Sequence, residues 1–351
     1  MKILETERLF LRRFCENDFE AVHSYAGCRE NLTYVNWGPN TPEQTRDFIK
    51  RAISETDESS GAGGTNNTNA GRGYYFAIVL KNSGKLIGGC DISVKEDWAS
   101  LGWILHRDFW NQGYCTEAGR ALLKYGFDEL NLRRITAICD AENIGSYRVM
   151  EKIGMRREGF LLESRPPNKI KKSNHCDELS YAIIKDEWEI QKEIIFYNNS
   201  PCKFSGFLDL PELTDDEIHL VCTAKKPGIP EKKFVPGYDF IVCKGSEKVG
   251  DICLRVGYTD SLYYGGQIGY NTDEKYRGNN YAGRACRLLL PVAKAHGMTR
   301  LLITNNISNI ASWRVCEKLG ARLLRRARLP QWHDLYARGQ RFQNIFVWDV
   351  F

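Results

Sequence analysis

Two short segments of the sequence carry the residue types that bind a phosphate group. Residues 110–117 and 277–284 each follow an apolar run and lead into a helical pattern, with Gly113 in the first turn and Asn280 in the second. Such a turn leaves backbone N–H groups without partners, and the helix dipole adds a positive potential. Glycine accepts positive φ and lets a ligand approach, and asparagine is the next most tolerant residue. Both segments therefore predict an anion site that suits a pyrophosphate.

The two segments belong to an internal repeat. Residues 143–154 read NIGSYRVMEKIG, and residues 309–320 read NIASWRVCEKLG. A strand glycine, Gly102 or Gly269, lies eleven residues before the turn in both copies. A repeat this long is not that of a solenoid and predicts two copies of one fold.

Length and composition agree with two domains. The chain has 351 residues, about 150 or more for each domain, and we expect them at residues 1–195 and 204–351. Its net charge of +5, from 49 basic and 44 acidic residues, suits an anionic cofactor and does not indicate bulk coating of nucleic acid. Twelve scattered cysteines form no C-x-x-C pair and are typical of reduced thiols. With no signal peptide and no long apolar stretch, the sequence predicts a cytoplasmic protein.

The elements around the turns follow a common order. In the first half, β-rich runs precede a helix after Gly113, and a further strand and helix follow. The predicted first-half elements are strands at 74–80, 88–94, 100–105 and 134–139 and a helix at 146–152. The second half repeats this order, and Pro291 should kink its first helix.

Together these features resemble the GNAT superfamily of acyl-CoA-dependent N-acyltransferases, whose phosphate loop has the form Gln/Arg-x-x-Gly-x-Gly/Ala. The opening ETERLFLRR at residues 5–13, Asp18 and the segment GYCTEA at 113–118 resemble the branch that acetylates the N-terminal alanine of ribosomal proteins. The resemblance implies an α/β (α+β) fold of two tandem domains. Each is a mixed, mostly antiparallel sheet, splayed between its fourth and fifth strands and flanked by helices. Acetyl-CoA (coenzyme A) as acyl donor would lie in the gap, and no metal is implied.

The same resemblance implies which residues hold the donor. In the first half, the pyrophosphate would lie on the N–H groups of Gln112, Gly113, Tyr114, Cys115 and Thr116, and the pantetheine arm against Ile104, Leu105 and Asn143. In the second half these places fall to Tyr270, Asn271, Arg277, Gly278, Asn280, Tyr281, Ala282 and Asn309. The two loops depart from the pattern at different positions, since Trp110 stands where Arg or Gln is usual and Asn280 replaces the glycine.

The implied reaction is direct attack of a primary amine on the thioester, which needs a base and an acid. Related enzymes often place a Glu two residues before the strand glycine and a Tyr in the last helix. Here those positions hold Ser100 and Gln267, and Met150 and Cys316.

Three options remain: a carboxylate elsewhere, a water relay, or no catalysis. The candidate carboxylates are Asp91, Glu96 and Asp97. Tyr147 is a weak candidate acid, and a packed aromatic is the favoured interpretation of this residue.

An N-acetyltransferase is thus the main functional hypothesis. The alternatives are a non-catalytic acyl-CoA-binding scaffold or a chain in which only one half, preferably the first, is catalytic. The acceptor amine is a protein N-terminus, an antibiotic or a small metabolite. A nucleic acid is an unfavoured partner, no membrane is expected, and the chain is either a monomer with pseudo-dimeric domains or a homodimer.

Overall fold

The computed structural model describes residues 3–55, 72–165, 170 and 175–350, and the chain divides into two compact units, Met1–Glu189 and Ile190–Phe351. Each unit contains one eight-stranded mixed sheet flanked by helices, which confirms the predicted fold class. The predicted domain limits stay a prediction. None of the helices in the described ranges has the length and apolar composition that a membrane span needs.

The first unit builds its sheet in the order β1-β2-β3-β4-β5-β6-β8-β7, and β5 and β6 are its only parallel pair in the described ranges. The strands are β1 Leu4–Glu5, β2 Leu9–Arg12, β3 Arg72–Leu80, β4 Leu86–Lys95, β5 Trp98–Leu105, β6 Arg134–Asp140, β7 Arg156–Arg165 and β8 Cys176–Ile184. The helices are α1 Phe19–Ala26, α2 Pro42–Glu55, α3 Tyr114–Lys124, α4 Ile144–Lys152 and α5 Lys185–Asn198, the last of which crosses into the second unit.

A gap opens between β5 and β6. The two strands pair only where Trp98, Ala99 and Ser100 meet the start of β6, and they diverge from Gly102 onward. The resemblance implied a gap between the fourth and fifth strands. Because the short strand β1 pairs antiparallel with β2 at the edge of the sheet and adds one strand to the count, the gap lies between the fifth and sixth strands of this sheet.

Two apolar layers cover the two faces of this sheet. The apolar stripe of α3, which includes the fully buried Ala118 and Leu122, packs with the sheet residues Phe76 and Ile92. On the opposite face, α1 and α2 pack on residues such as Val79. The gap therefore has α3 on one side of the sheet and α1 and α2 on the other.

The second unit repeats the sheet in the order β9-β10-β11-β12-β13-β14-β16-β15, with β13 and β14 parallel. Its strands are β9 Leu213–Thr214, β10 His219–Lys226, β11 Gly237–Lys244, β12 Glu247–Arg255, β13 Ile268–Thr272, β14 Arg300–Asn306, β15 Arg322–Arg328 and β16 Phe342–Asp349. Its helices are α6 Asp260–Gly265, α7 Tyr281–Leu288, α8 Leu290–Ala295, α9 Ile310–Leu319 and α10 Asp334–Ala337. Leu289, two residues before Pro291, separates α7 from α8, so the helix is interrupted where Pro291 was expected to kink it.

The two units differ on the face away from α3 and α7. The first unit places α1 and α2 between β2 and β3, whereas residues 227–236 form a short loop between β10 and β11. Conversely, α6 stands between β12 and β13, where the first unit has only a tight turn. The two units therefore differ in the elements that cover this face of the sheet.

Candidate active site

The Gly113 turn presents free backbone donors. Gly113 has φ 83° and immediately precedes α3, and the first hydrogen bond of the helix runs from Glu117 N–H to Gly113 C=O at 3.0 Å. The N–H groups of Tyr114, Cys115 and Thr116 consequently have no acceptor within the helix. Positive φ is confirmed at Gly113 and also at Asn280, where φ is 60°.

The N-terminal strand region holds this turn in place. The Glu117 carboxylate accepts hydrogen bonds from Thr6 Oγ1 at 2.5 Å and from the Arg8 N–H and Nε, both at 2.7 Å. Arg8 Nη1 also donates to Gln112 C=O at 3.0 Å, and its guanidinium stacks over the Tyr114 ring at 4.5 Å. The opening motif and Glu117 thus form one clamp, which we call the Arg8–Glu117 clamp.

A groove lined by charged side chains continues from the turn along α3. The groove has a volume of about 1070 Å³ and includes Gly113 and Thr116 in its lining. Its charged lining residues are the cations Arg8, Arg120, Lys124 and Lys152 and the carboxylates Glu5, Glu7, Glu117 and Glu129. A helix N-terminus beside several cations is a favourable environment for phosphate groups.

Alternate residues of β5 direct their backbone groups into the gap. His106 N–H donates to Ile87 C=O at 2.8 Å, so His106 and, two residues earlier, Ile104 hydrogen-bond toward β4. Trp103 and Leu105 face the other way, toward the gap. Ile104 was selected from the sequence for contact with the pantetheine arm, and Trp103 was not. The period-2 alternation of a strand is the signal that distinguishes the residues whose backbone groups face the gap from those that face β4.

Trp110 and Arg277 make the same kind of hydrogen bond in the two units. Trp110 Nε1 donates to Leu105 C=O at 2.9 Å, and Arg277 Nε donates to Thr272 C=O at 3.3 Å. Each side chain ties the turn to the end of the strand before it. The departure at Trp110 therefore conserves a contact with the strand.

The repeated Asn-x-x-Ser motif caps a helix. Asn143 Oδ1 accepts the Ser146 N–H at 3.1 Å at the start of α4, and Asn309 Oδ1 accepts the Ser312 N–H at 3.0 Å at the start of α9. This is N-capping, which satisfies a backbone donor at the start of a helix. Contact of Asn143 with a pantetheine arm stays a prediction.

Asp91 is the carboxylate that the structure brings to the gap. It lies opposite Gly102 in the β4–β5 register, and a side-chain carbon at Gly102 would collide with Asp91 Oδ1. The carboxylate therefore occupies the space that Gly102 leaves open. Ser93 Oγ donates to Asp91 Oδ2 at 3.3 Å, and burial raises the pKa of Asp91 to about 6. Tyr75 lies opposite on β3, and burial raises its pKa to about 12.

The other candidates lie elsewhere. Glu96 and Asp97 form the turn between β4 and β5 at the closed end of the gap, and Asp97 is paired with Arg133 at 2.7 Å. Tyr147 packs against the edge of the first core, with the Arg148 guanidinium 5.6 Å from its ring centre. The structure thus brings Asp91 to Gly102 but leaves Glu96 and Asp97 apart from it.

The second unit fills its gap with side chains. Tyr270 corresponds to Trp103, and its hydroxyl lies 2.8 Å from Ser312 Oγ on α9, so the two sides of the gap are joined. Tyr281 at the start of α7 is buried, and its hydroxyl accepts from Lys244 Nζ at 3.0 Å. Asn280 lies against Gly283, where any side-chain carbon would collide with its amide.

The clamp of the first unit recurs with reversed charges. Arg284 stands at the position of Glu117, and it pairs with Asp215 at 2.9 Å, with Glu217 at 3.4 Å and with Asp216. The mechanical link between strand and helix is retained. Its acidic side, however, now lies beside the turn that would receive a phosphate.

The position of Asp91 has also changed. Cys253 lies opposite Gly269 in the β12–β13 register, with the Arg255 guanidinium nearby. Gln267 is fully buried, and its Oε1 accepts the Leu302 N–H at 2.6 Å. The residue at the usual base position therefore serves as a structural bridge between β13 and β14.

A splayed mixed sheet with strand N–H groups in the gap and a phosphate-binding helix start at its mouth defines an acyl-CoA-type N-acyltransferase. A family model described as "Acetyltransferase (GNAT) domain" matches residues 8–156 and again residues 196–322. The chain belongs to this GNAT acetyltransferase family and is an N-acyltransferase that transfers acetyl groups to amines.

Single-unit relatives cover about half of the chain. The uncharacterized N-acetyltransferase YnaD of Bacillus subtilis (strain 168) is 36% identical over 188 residues, which are 53% of this chain and 98% of that protein. A GNAT-family acetyltransferase structure from Bacillus anthracis is 34% identical and covers 52% of this chain and 99% of its own, with a TM-score of 0.45. A ribosomal L7/L12 alpha-N-protein acetyltransferase in complex with coenzyme A is 20% identical over 53% of this chain and 99% of its own, with a TM-score of 0.45.

Proposed function

We propose that the first unit is an acetyl-CoA-dependent N-acetyltransferase in which a primary amine attacks the thioester directly and Asp91 receives its proton. The observation that carries this proposal is the Asp91 carboxylate over Gly102, at the point where β5 and β6 diverge. No sequence motif requires a carboxylate there. A buried acid beside the gap is the group that amine transfer needs and that the usual positions lack.

The donor site fits the residues present. The N–H groups of the turn from Gln112 to Thr116 would hold the pyrophosphate, because the helix offers them no acceptor. Trp103 and Leu105 would bind the pantetheine arm through the backbone groups that face the gap. Acetyl-CoA supplies the acetyl group as a thioester.

Asp91 carries the proton chemistry in this proposal. An aliphatic amine reaches the site as an ammonium ion, which the Asp91 carboxylate attracts and deprotonates, directly or through one water. With a pKa near 6, the carboxylate is ionised at neutral pH yet basic enough to take a proton. The Trp103 N–H faces the gap, where it would stabilise the oxygen that gains charge during attack.

The second unit has a different role in our proposal. Tyr270 joins the two sides of its gap, and acidic residues surround Arg284 beside its turn. We infer that one acetyl-CoA binds per chain, in the first unit. The acceptor amine remains one of three classes: a protein N-terminus, an antibiotic or a small metabolite.

The test is an assay of acetyl transfer from acetyl-CoA to a panel of N-terminal peptides, aminoglycosides and polyamines. The release of free thiol and mass spectrometry of the products detect the transfer. The proposal expects a product with at least one amine and its loss in Asp91→Asn. Binding of acetyl-CoA without consumption by any amine would instead support the non-catalytic scaffold.

A further inference from the structure

The second unit contains a cavity of about 700 Å³ on the face of its sheet away from α7. Its walls come from β11 and β12, the 227–236 loop, α6 and α10. Apolar side chains, Ile229, Phe234, Val235, Leu254, Leu262 and Leu335, supply much of the lining. Volume and lining are those of a site for a small organic molecule.

Cations dominate the polar lining of this cavity. Lys226 is paired with Asp239, but Arg255, Lys233 and Arg338 form no ion pair with any described carboxylate. Asp334 is the remaining acid of the lining. The cavity therefore carries an excess of positive charge, and an ammonium ligand is disfavoured there.

The Arg255 guanidinium is placed to donate hydrogen bonds to a polar group of a ligand. Its Nη1 donates to Gly266 C=O at 3.1 Å, which fixes the side chain and leaves most of its five N–H donors available. The two terminal nitrogens lie 3.5 and 3.6 Å from the point where a side-chain carbon of Gly269 would stand. In the first unit the matching space over Gly102 holds the Asp91 carboxylate. The charge at this point is thus reversed between the two units.

We propose that this cavity binds a small carboxylate with an apolar body, whose carboxylate pairs with Arg255 while its body lies against Phe234 and the neighbouring apolar residues. A guanidinium matches a carboxylate in a bidentate geometry, and the half-exposed Phe234 gains by being covered. The second unit is on this basis a carboxylate-binding domain. This inference does not depend on acetyl transfer by the first unit.

The test is calorimetric titration of the full chain with octanoate, and with octanamide and octylamine as neutral and cationic matches. We expect octanoate to bind once per chain, at least tenfold more tightly than octanamide, and octylamine not to bind. Arg255→Gln should weaken octanoate binding by about 10- to 100-fold, since it removes a charge-assisted hydrogen bond. Arg255→Lys should restore part of the loss.

Two further variants distinguish a loss of octanoate binding from a loss of folding. Lys233→Gln, at an exposed position on the cavity rim, should weaken octanoate binding several-fold without affecting the thermal transition. Arg314→Gln, on the exposed surface of α9, should leave binding unchanged. Failure of octanoate to bind, equal binding of octylamine, or unchanged affinity in both Arg255→Gln and Lys233→Gln would overturn the proposal.

Discussion

Asp91 and Gly102 lie opposite each other on β4 and β5. The missing side chain of Gly102 gives the carboxylate room, and the surrounding protein raises its pKa to about 6. The same contact in the second unit joins Cys253 and Gly269. At this position the first unit therefore has a carboxylic acid and the second unit a cysteine.

Asp91→Asn is expected to lower kcat by about 100- to 10,000-fold, because general base catalysis contributes this much, with little change in the affinity for acetyl-CoA. Wild-type kcat/KM should rise with pH through an apparent pKa near 6 as Asp91 ionises, and this limb should vanish in the variant. Steady-state kinetics from pH 5 to pH 8 measure both effects. The matched control is Asp97→Asn, which should retain activity; equal losses in the two variants would contradict the role of Asp91.

The same raised pKa predicts an effect on stability. The pKa of Asp91 is about 6 in the folded chain against an ordinary value of 3.8, so the folded state holds the proton more tightly. Ionisation of Asp91 consequently reduces the free energy of unfolding as the pH rises from about 4 to about 6. Asp91→Asn should therefore have a higher Tm than the wild type at pH 7.5 and the same Tm near pH 4. A lower Tm at pH 7.5 would show that the carboxylate stabilises the fold.

Sequence reasoning reached some of these residues and not others, for physical reasons. Positive φ at Gly113 and Asn280 was predictable because few residue types tolerate it. Asp91 was one of three carboxylates near the first copy, and only strand register, a long-range property, distinguishes it from Asp97. The Trp103 backbone groups that face the gap were not selected because residue type does not mark them; only the period-2 alternation of β5 does.

The Arg8–Glu117 clamp shows how an element rather than a residue positions the phosphate turn. Burial acts to raise the pKa of Glu117, but hydrogen bonds from Thr6 and Arg8 outweigh it, so the pKa is lowered. The second unit keeps the same link with Arg284 against Asp215. Two charge patterns thus serve one mechanical purpose.

Glu117→Ala should destabilise the first unit by about 1–3 kcal/mol, because it leaves donors of Thr6 and Arg8 unpaired. It should also raise the KM for acetyl-CoA several-fold, since the turn is no longer held. Chemical denaturation and kinetics measure the two effects. The matched variant Arg284→Ala should show a similar loss of stability with an unchanged KM, and a raised KM in that variant would speak against a first-unit donor site.

Helix α5 shows that the division of the chain falls within an element. Trp188 Nε1 donates to Asp128 at 2.9 Å in the first unit, whereas Ile190 and Tyr197 are buried in a cluster of the second unit. Glu193, also in the second unit, pairs with Arg325 at 2.5 Å. Which contacts each half of α5 makes depends on tertiary packing, which a local sequence pattern does not specify.

A fragment of residues 186–351 is expected to be soluble and to unfold cooperatively. A fragment of residues 204–351 lacks Ile190, Glu193 and Tyr197, so it should be destabilised by several kcal/mol or aggregate. Circular dichroism melts of both fragments make the comparison. Equal melting temperatures would show that α5 contributes nothing to the second unit.

We propose that only the first of the two related units has a donor site for acetyl-CoA. Calorimetric titration of acetyl-CoA into the intact chain, Gly113→Trp and Ala282→Trp tests it most directly, with the Tm of each variant as a folding control. We expect a stoichiometry of one in the wild type and in Ala282→Trp, and no binding in a folded Gly113→Trp. A stoichiometry of two, or binding that survives Gly113→Trp and is lost in Ala282→Trp, would contradict it.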